Sequence, residues 1–280
     1  MNLSEKIISF VKITRPLNVI LTFFVVVVAV FITRGKEVDP ITIFISALSA
    51  ALVTAAGNII NDIYDIGTDR VSHPERILVK GLLNKKEAII FYILLNISAV
   101  IFVSTIYFSL LLIVVITIML LYIYSAFLKK LPLIGNFIIA FLTGLAFIYG
   151  GIVTKNAAAA VIPAMFAFLI NFIREIVKDI QDIEGDKKTN LSTFPIHYGI
   201  KKSKFVILIL TITLVVFTVY PFFVNVYNIE YFVIIMVIVN PVLILCLRLL
   251  FSTNRIRLAL ISNLLKLDMI FGLIAIFLGK

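Results

Sequence analysis

The chain has 280 residues, 62% hydrophobic and only 14% charged, with a formal net charge of +10; its mean hydropathy is +1.15. A soluble domain carries about 45–50% apolar and about 25% charged residues. Too few charges remain to cover a globule, so the composition excludes a soluble enzyme, a disordered chain and a nucleic-acid-binding domain, and it places the chain among membrane lipids.

Nine apolar runs approach the roughly 20 residues that a bilayer crossing needs. A basic start and Arg15-Pro16-Leu17-Asn18 lead into the first predicted span, 17–33. No small-residue cleavage site follows it, so the run does not read as a cleaved leader. The second span is predicted over 41–63, the third over 88–105 and the fourth over 108–127. Only a short polar turn, Ser104 to Ser109, separates the third from the fourth. The remaining spans are 134–153, 157–177, 204–224, 230–250 and 258–278. Two connections are long, about 64–87 and 178–203; the others are too short for a separate soluble domain, so 1–280 reads as one transmembrane domain.

Alternate connections carry very different charge. One set holds Lys6, Lys12, Arg15, Arg70, Arg76, Lys80, Lys85, Lys86, Lys129, Lys130, Arg174, Lys178, Lys187, Lys188, Lys201, Lys202, Lys204, Arg248, Arg255 and Arg257. The other set holds Arg34, Lys36, Lys155 and Lys280, and Lys266 falls within a span. This positive-inside bias predicts a cytoplasmic N-terminus, both long connections in the cytoplasm and, with an odd number of spans, the C-terminus outside. It also accounts for the net charge without nucleic acid.

Two acidic clusters stand at the cytoplasmic ends of spans. The first reads Asn58-Ile-Ile-Asn61-Asp62-Ile-Tyr-Asp65-Ile-Gly-Thr-Asp69-Arg70. Its steps of three and four put the polar residues on one helical face, continuous with a membrane span and so directed at a cavity and not at lipid. The second reads Arg174-Glu175-Ile-Val-Lys178-Asp179-Ile-Gln-Asp182-Ile-Glu-Gly-Asp186-Lys187-Lys188, and 175, 179, 182 and 186 are expected on one face. Carboxylates so grouped repel one another unless a cation lies between them, and all-oxygen ligands suit Mg²⁺. Two such faces could clamp a metal–diphosphate, with nearby basic residues completing the neutralisation. A single cluster could equally be a solvated, salt-bridged helix end.

Other residues read less sharply. Tyr124 and Lys129, closing the fourth span, either reach a phosphate or anchor the interface. Asn18 is a polar group inside the first span. Lys266 and Asp268 are two apart in the last span and do not face each other; Lys266 either snorkels to the interface or lines a polar cavity, the second being preferred. Cys246 reads as packing, and His73 and His197 lack metal-ligand spacing.

Taken together, Asn61-Asp62-x-x-Asp65-x-x-x-Asp69, Asp179-x-x-Asp182-x-x-x-Asp186 and Tyr124-x-x-x-Leu128-Lys129 resemble the UbiA superfamily of intramembrane prenyltransferases over nearly the whole chain. Within it, Arg174 to Lys187 followed by Thr193-Phe-Pro195-Ile and Gly199, the opening Arg15-Pro16-Leu-Asn18 and the ending Lys266 to Gly279 are most similar to the archaeal digeranylgeranylglyceryl phosphate synthases. The resemblance implies an all-α membrane fold with helices around a central cavity open to the cytoplasmic side. It implies a geranylgeranyl diphosphate donor, a geranylgeranylglyceryl phosphate acceptor and Mg²⁺. Asn61, Asp62, Asp65, Asp69, Asp179, Asp182 and Asp186 are then the expected metal and diphosphate ligands, the aspartates being the catalytic set. Arg15, Asn18, Asn58, Arg70, Arg76, Lys80, Tyr124, Lys129, Lys178, Lys187 and Lys188 are the expected substrate contacts. The chain departs from the family at Arg76-Ile-Leu-Val-Lys80-Gly81, where the family often runs Arg-Pro-Ile-Pro-Ser-Gly; Lys80 could be an added contact to a phosphorylated acceptor.

Three rivals remain at this stage. An aromatic prenyltransferase making quinone or haem precursors would share the fold. A cation transporter would place acids deep in the spans, where only Asp268 and asparagines lie. A CDP-alcohol phosphatidyltransferase would need an Asp-Gly-x-x-Ala-Arg stretch, which is absent.

Overall fold

The computed structural model describes residues 3–33, 37–188, 191–252 and 256–280. Arg34, Lys36 and Arg255, counted above, lie outside the described residues. Among those described, nine helices are long and apolar enough to cross a membrane, and no strand forms. The protein is an all-α, multi-pass membrane protein.

The spans are α2 (Pro16–Thr33), α3 (Pro40–Ser72), α4 (Lys85–Ser104), α5 (Phe108–Ala126), α6 (Ile134–Val153), α7 (Val161–Gln181), α10 (Ile200–Phe223), the pair α11 (Ile229–Ile234) and α12 (Asn240–Phe251), and α13 (Ile256–Leu278). Three short helices supplement them: α1 (Leu3–Ile13), α8 (Ile183–Lys188) and α9 (Phe194–Tyr198). α11 and α12 form one crossing joined by a π-helical turn, Ile235–Val239. Pro241 has no N–H to continue the α-ladder, and the wider turn just before it absorbs the missing bond.

Local chemistry sets the ends. Asp39 caps α3 by accepting from the Thr42 N–H at 2.9 Å, with Pro40 at the first helical position. Asn84 and Glu87 form a reciprocal capping box at the start of α4. α1 carries Ile7, Ile8 and Val11 on an exposed face beside Lys6 and Lys12, the pattern of a helix lying in the membrane interface. Its inner side buries Ile13, and Phe10 packs edge-on to Phe91 of α4 at 5.1 Å.

Two boundaries differ from expectation. The connection expected from 64 begins only after Ser72, because α3 continues through the first aspartate cluster. At 33 residues and about 1.5 Å each, α3 is about 50 Å long, against roughly 30 Å of hydrocarbon. Asp62 comes about 33 Å along it, so the cluster occupies turns beyond the apolar layer. The connection expected over 178–203 is largely helical as well: α7 reaches Gln181, and α8, α9 and the start of α10 follow.

α3 packs on α2 and α4, α6 on α2 and α7, and α13 on α7 and α2, which closes the bundle. Between helices in lipid, close backbone approach replaces the hydrophobic drive. Gly144 of α6 lies so near α7 that a Cβ there would stand 2.7 Å from the carbonyl oxygen of Ala164. At Gly150 a Cβ would meet that of Ala29 in α2 at 2.5 Å. Large side chains such as Phe24, Phe31, Met119, Val216 and Phe223 face outward, where lipid takes the place of a core. Thr33 and Thr154 share a 2.9 Å hydrogen bond, which ties the end of α2 to the end of α6, and the Asn228 N–H bonds the carbonyl of Gly279 at 2.8 Å, which ties the start of α11 to the end of α13. Replacing Gly144 with Leu is expected to destabilise the detergent-purified protein by about 1–3 kcal/mol through overpacking against Ala164. Thermal unfolding checks this, with Gly272→Ala, where nothing lies within 4 Å of the added carbon, as the unaffected control.

Candidate active site

A cavity of about 510 Å³ opens among the helices. Its middle is apolar, walled by residues such as Val25, Val53, Ile113, Leu142 and Phe166. At one end the lining turns polar, with Arg15 and Asn18 of the α1–α2 corner and α2, Asn58 and Asn61 of α3, Tyr124 of α5 and Glu175 of α7. The aspartates follow in sequence: Asp62, Asp65 and Asp69 on α3, Asp179 near the end of α7, Asp182 at its cap and Asp186 on α8. Helix α3 thus passes from cavity wall to acidic cluster, and α7 does the same.

The first cluster is held by cations from elsewhere in the chain. Asp62 is 3% exposed. One of its oxygens, Oδ1, accepts from Arg15 and, at 2.6 Å, from Nη1 of Arg76. Arg15 reaches it from a left-handed backbone, φ 55°, at the break between α1 and α2. Asn58 braces that corner, donating from Nδ2 to the carbonyl of Thr14 at 2.8 Å. Asp65 accepts from Lys129 on Oδ1 and from Asn61 Nδ2 on Oδ2 at 2.7 Å. Asp69 is buried beside them and feels the charges of Asp62, Asp65, Arg76 and His73.

The second cluster is not one helical face. α7 stops at Gln181, and Asp182 takes its cap position with φ −96° and ψ 7°. Register is nevertheless kept, because the Asp186 N–H bonds the carbonyl of Asp182 at 2.9 Å. Asp179 accepts from Asn136 Nδ2 of α6 at 2.8 Å. Burial and the charge of Asp182 push the Asp186 carboxyl up to about 6, and the charge of Asp65 adds to this. α8 also packs on α3, so the two clusters face each other across the mouth of the cavity. Tyr124 lies between them, within electrostatic reach of Asp65, Glu175 and Asp179.

Of the expected substrate contacts, the structure brings Arg15, Asn18, Asn58, Arg76, Tyr124, Lys129 and Lys178 to the cavity or to the aspartates. It does not bring Arg70, Lys80, Lys187 or Lys188 there; all four are exposed, and none lines the cavity. Arg70 follows Asp69 on the helix, and a step of one residue turns it some 100° away. Arg174, quoted from the sequence as the start of the second cluster but not as a contact, lines the cavity too. Asn136 and Asn171 belong to the site region and were not singled out from sequence. Their signal was a polar residue inside an apolar run. Lys266 lines the cavity, the preferred of its two readings. Cys246 is buried in the core as expected. Among the described residues, no three acidic or histidine side chains converge as a preformed metal cage.

Comparison with known proteins follows the same lines. The UbiA prenyltransferase family matches residues 22–264. A digeranylgeranylglyceryl phosphate synthase of Methanosphaera stadtmanae is 35% identical over 228 residues, 81% of this chain and 83% of that protein. The one of Methanocaldococcus jannaschii is 33% identical over 275 residues, 98% of this chain and 97% of that protein. A solved digeranylgeranylglyceryl phosphate synthase structure superposes with a TM-score of 0.82 at 33% identity, covering 98% of each chain. A UbiA homolog from Archaeoglobus fulgidus bound to GPP and Mg²⁺ shares the fold, with a TM-score of 0.66 at 20% identity over 96% of this chain and 99% of that one.

The raised Asp186 carboxyl has a consequence for metal binding. A carboxylate must lose its proton to bind a cation, so affinity falls as pH drops through about 6. Half-saturating Mg²⁺ for the protein is expected to rise at least about fourfold from pH 7.5 to 5.5, the share of the Asp186 proton alone. Calorimetric Mg²⁺ titration at both pH values checks it, and Asp186→Asn is expected to flatten the dependence.

Proposed function

The chain belongs to the UbiA prenyltransferase family, and from that premise we propose that it moves a geranylgeranyl group from geranylgeranyl diphosphate to the hydroxyl of geranylgeranylglyceryl phosphate, releasing diphosphate. The reaction is Mg²⁺-dependent and makes an archaeal ether lipid. The observation that carries the reading is the pair of aspartate clusters facing each other at the polar end of an apolar cavity. Relatives named for this activity, at 33% identity over 98% of the chain in one case, support the choice of acceptor.

The donor set fits Mg²⁺. All the candidate ligands are oxygens, and Mg²⁺ is ordinarily held by one or two carboxylates, with substrate phosphates and water completing its shell. Asp62, Asp65, Asp69 and the Asn61 amide oxygen would hold it from α3, and Asp179, Asp182 and Asp186 from the other side. When bound, the ion supplies charge neutralisation for the departing diphosphate.

The chain's own residues do the rest. Arg15, Arg76 and Lys129 stand beside the carboxylates with N–H groups suited to diphosphate oxygens. Their charge stabilises the diphosphate as the allylic C–O bond breaks. The prenyl cation so formed is delocalised over its allylic carbons, and the faces of Tyr124, Phe147 and Phe166 along the cavity favour a positive charge. Apolar walls exclude water, which would otherwise capture the cation as a prenyl alcohol. The acceptor hydroxyl attacks the same carbon and passes its proton to the released diphosphate, which completes the ether. The positive-inside bias supports a mouth facing the cytoplasm, since Arg15, Arg76, Lys129 and Lys178 all stand at that end.

The test is prenyl transfer by purified protein with labelled geranylgeranyl diphosphate and Mg²⁺. Product is expected with geranylgeranylglyceryl phosphate and not with 4-hydroxybenzoate, and EDTA should abolish it. Asp65→Ala is expected to lower kcat/KM by roughly 10²–10³-fold. Transfer to the aromatic acid alone would replace the acceptor and leave the family and the metal chemistry standing.

A further inference from the structure

The polar end of the cavity has a second charged wall, beside the aspartates. Arg174 and Lys178 lie one turn apart on α7, and both bond the same oxygen of Glu175, at 3.2 Å from Nη1 and 2.6 Å from Nζ. Lys266 of α13, which packs along α7, is close enough for its charge to act on both. All four side chains line the cavity. Among the described residues no carboxylate comes within ion-pair distance of Lys266. The buried Nε of Arg174 has no hydrogen-bond partner.

Among these four side chains three positive charges stand against one negative, a surplus of two within the group; Asp268 of α13 lines the cavity as well, with neither oxygen hydrogen-bonded. Their depth makes the surplus costly. Arg174 lies seven residues before the end of α7 and Lys266 ten after the start of α13, about 10 Å and about 15 Å inside those ends. Uncompensated charge within a span persists where it faces a cavity and a ligand completes it. A phosphate monoester carries about −1.5 to −2 near neutral pH and offers three acceptor oxygens, which matches both the charge and the unmade hydrogen bonds. A singly charged aromatic acid would leave half the surplus unmatched.

We propose that Arg174, Lys178 and Lys266 seat the phosphate monoester of the lipid acceptor, apart from the diphosphate held at the aspartate mouth. The assignment rests on the acceptor reading above and adds the residues that select it. With the phosphate anchored on α7 and α13, the acceptor hydroxyl is held inside the cavity, between that anchor and the aspartates.

Steady-state kinetics with Lys266→Met test this, since the variant keeps the length of the side chain and removes its charge. The acceptor KM is expected to rise on the order of 10- to 100-fold, the worth of one charged hydrogen bond, with the donor KM unchanged. Lys266→Arg should restore most of the loss. A binding readout runs in parallel without donor: geranylgeranylglyceryl phosphate should raise the melting temperature of the wild type more than geranylgeranylglycerol does, and Lys266→Met should erase the difference. Arg174→Gln gives the same two readouts should Lys266→Met fail to fold. A rise in donor KM in place of acceptor KM, or equal stabilisation of the wild type by the two lipids, overturns the proposal. If the wild type transfers only to an aromatic acid, the acceptor reading falls on that result alone, while the melting comparison still decides the phosphate seat.

Discussion

A carboxylate at the end of a membrane span is stable only against a cation, because taking it out of water costs several kcal/mol. Asp62 answers that constraint with two guanidinium groups on one oxygen, and much of the cavity mouth is arranged by it. Arg15 comes from the α1–α2 corner and adopts a left-handed backbone there. Arg76 comes from the connection after α3, whose turns are folded by bonds such as that from the Lys80 N–H to the Arg76 carbonyl. Lys129, on Asp65, adds the connection between α5 and α6. Three segments far apart in sequence are thereby tied to the last turns of one helix. Protein cations occupy the carboxylates, and substrate phosphates offer those cations an equivalent partner.

The cavity itself depends on a different constraint. α6 must approach α7 and α2 closely enough for side chains of all three helices to wall one apolar space. Glycines at 144 and 150 permit this, with Ala164 and Ala29 opposite them. The resulting walls are apolar in the middle and polar at one end, so an isoprenoid chain and its charged head find their separate surroundings along one axis. Water exclusion then comes from packing, not from any single catalytic side chain.

The nine spans were legible because each needs only length and hydropathy, and the break expected at Ser104–Ser109 is present at 105–107, between α4 and α5. The two aspartate clusters were legible because their spacing repeats a helical face. Where α3 ends was not, since hydropathy falls off at Asp62 while the backbone continues to Ser72. Apolar content marks where a helix leaves lipid, not where it ends. The π-helical turn before Pro241 and the interfacial α1 escaped for the same reason: both depend on backbone bonds or partial burial. Lys80, Arg70, Lys187 and Lys188 looked like phosphate contacts by proximity in sequence, yet are exposed. Asn136 was invisible from the other direction, as an amide in an apolar run whose partner, Asp179, lies 43 residues away.

Opposite surpluses on the two walls raise a sorting problem that the metal resolves. Six aspartates at the mouth face Arg15, Arg76 and Lys129, so that end is short of positive charge. On the α7–α13 wall, Arg174 and Lys178 share Glu175 and Lys266 pairs with no carboxylate, so that wall is short of negative charge. On electrostatics alone, a diphosphate would be repelled from the mouth and drawn to the seat proposed for the acceptor. Divalent ions held by the aspartates would supply the opposite charge there, and each anion would then have its own place. The metal requirement of such a site therefore extends beyond activation of the leaving group: without the ion, the donor would compete with the acceptor for the cations of α7 and α13.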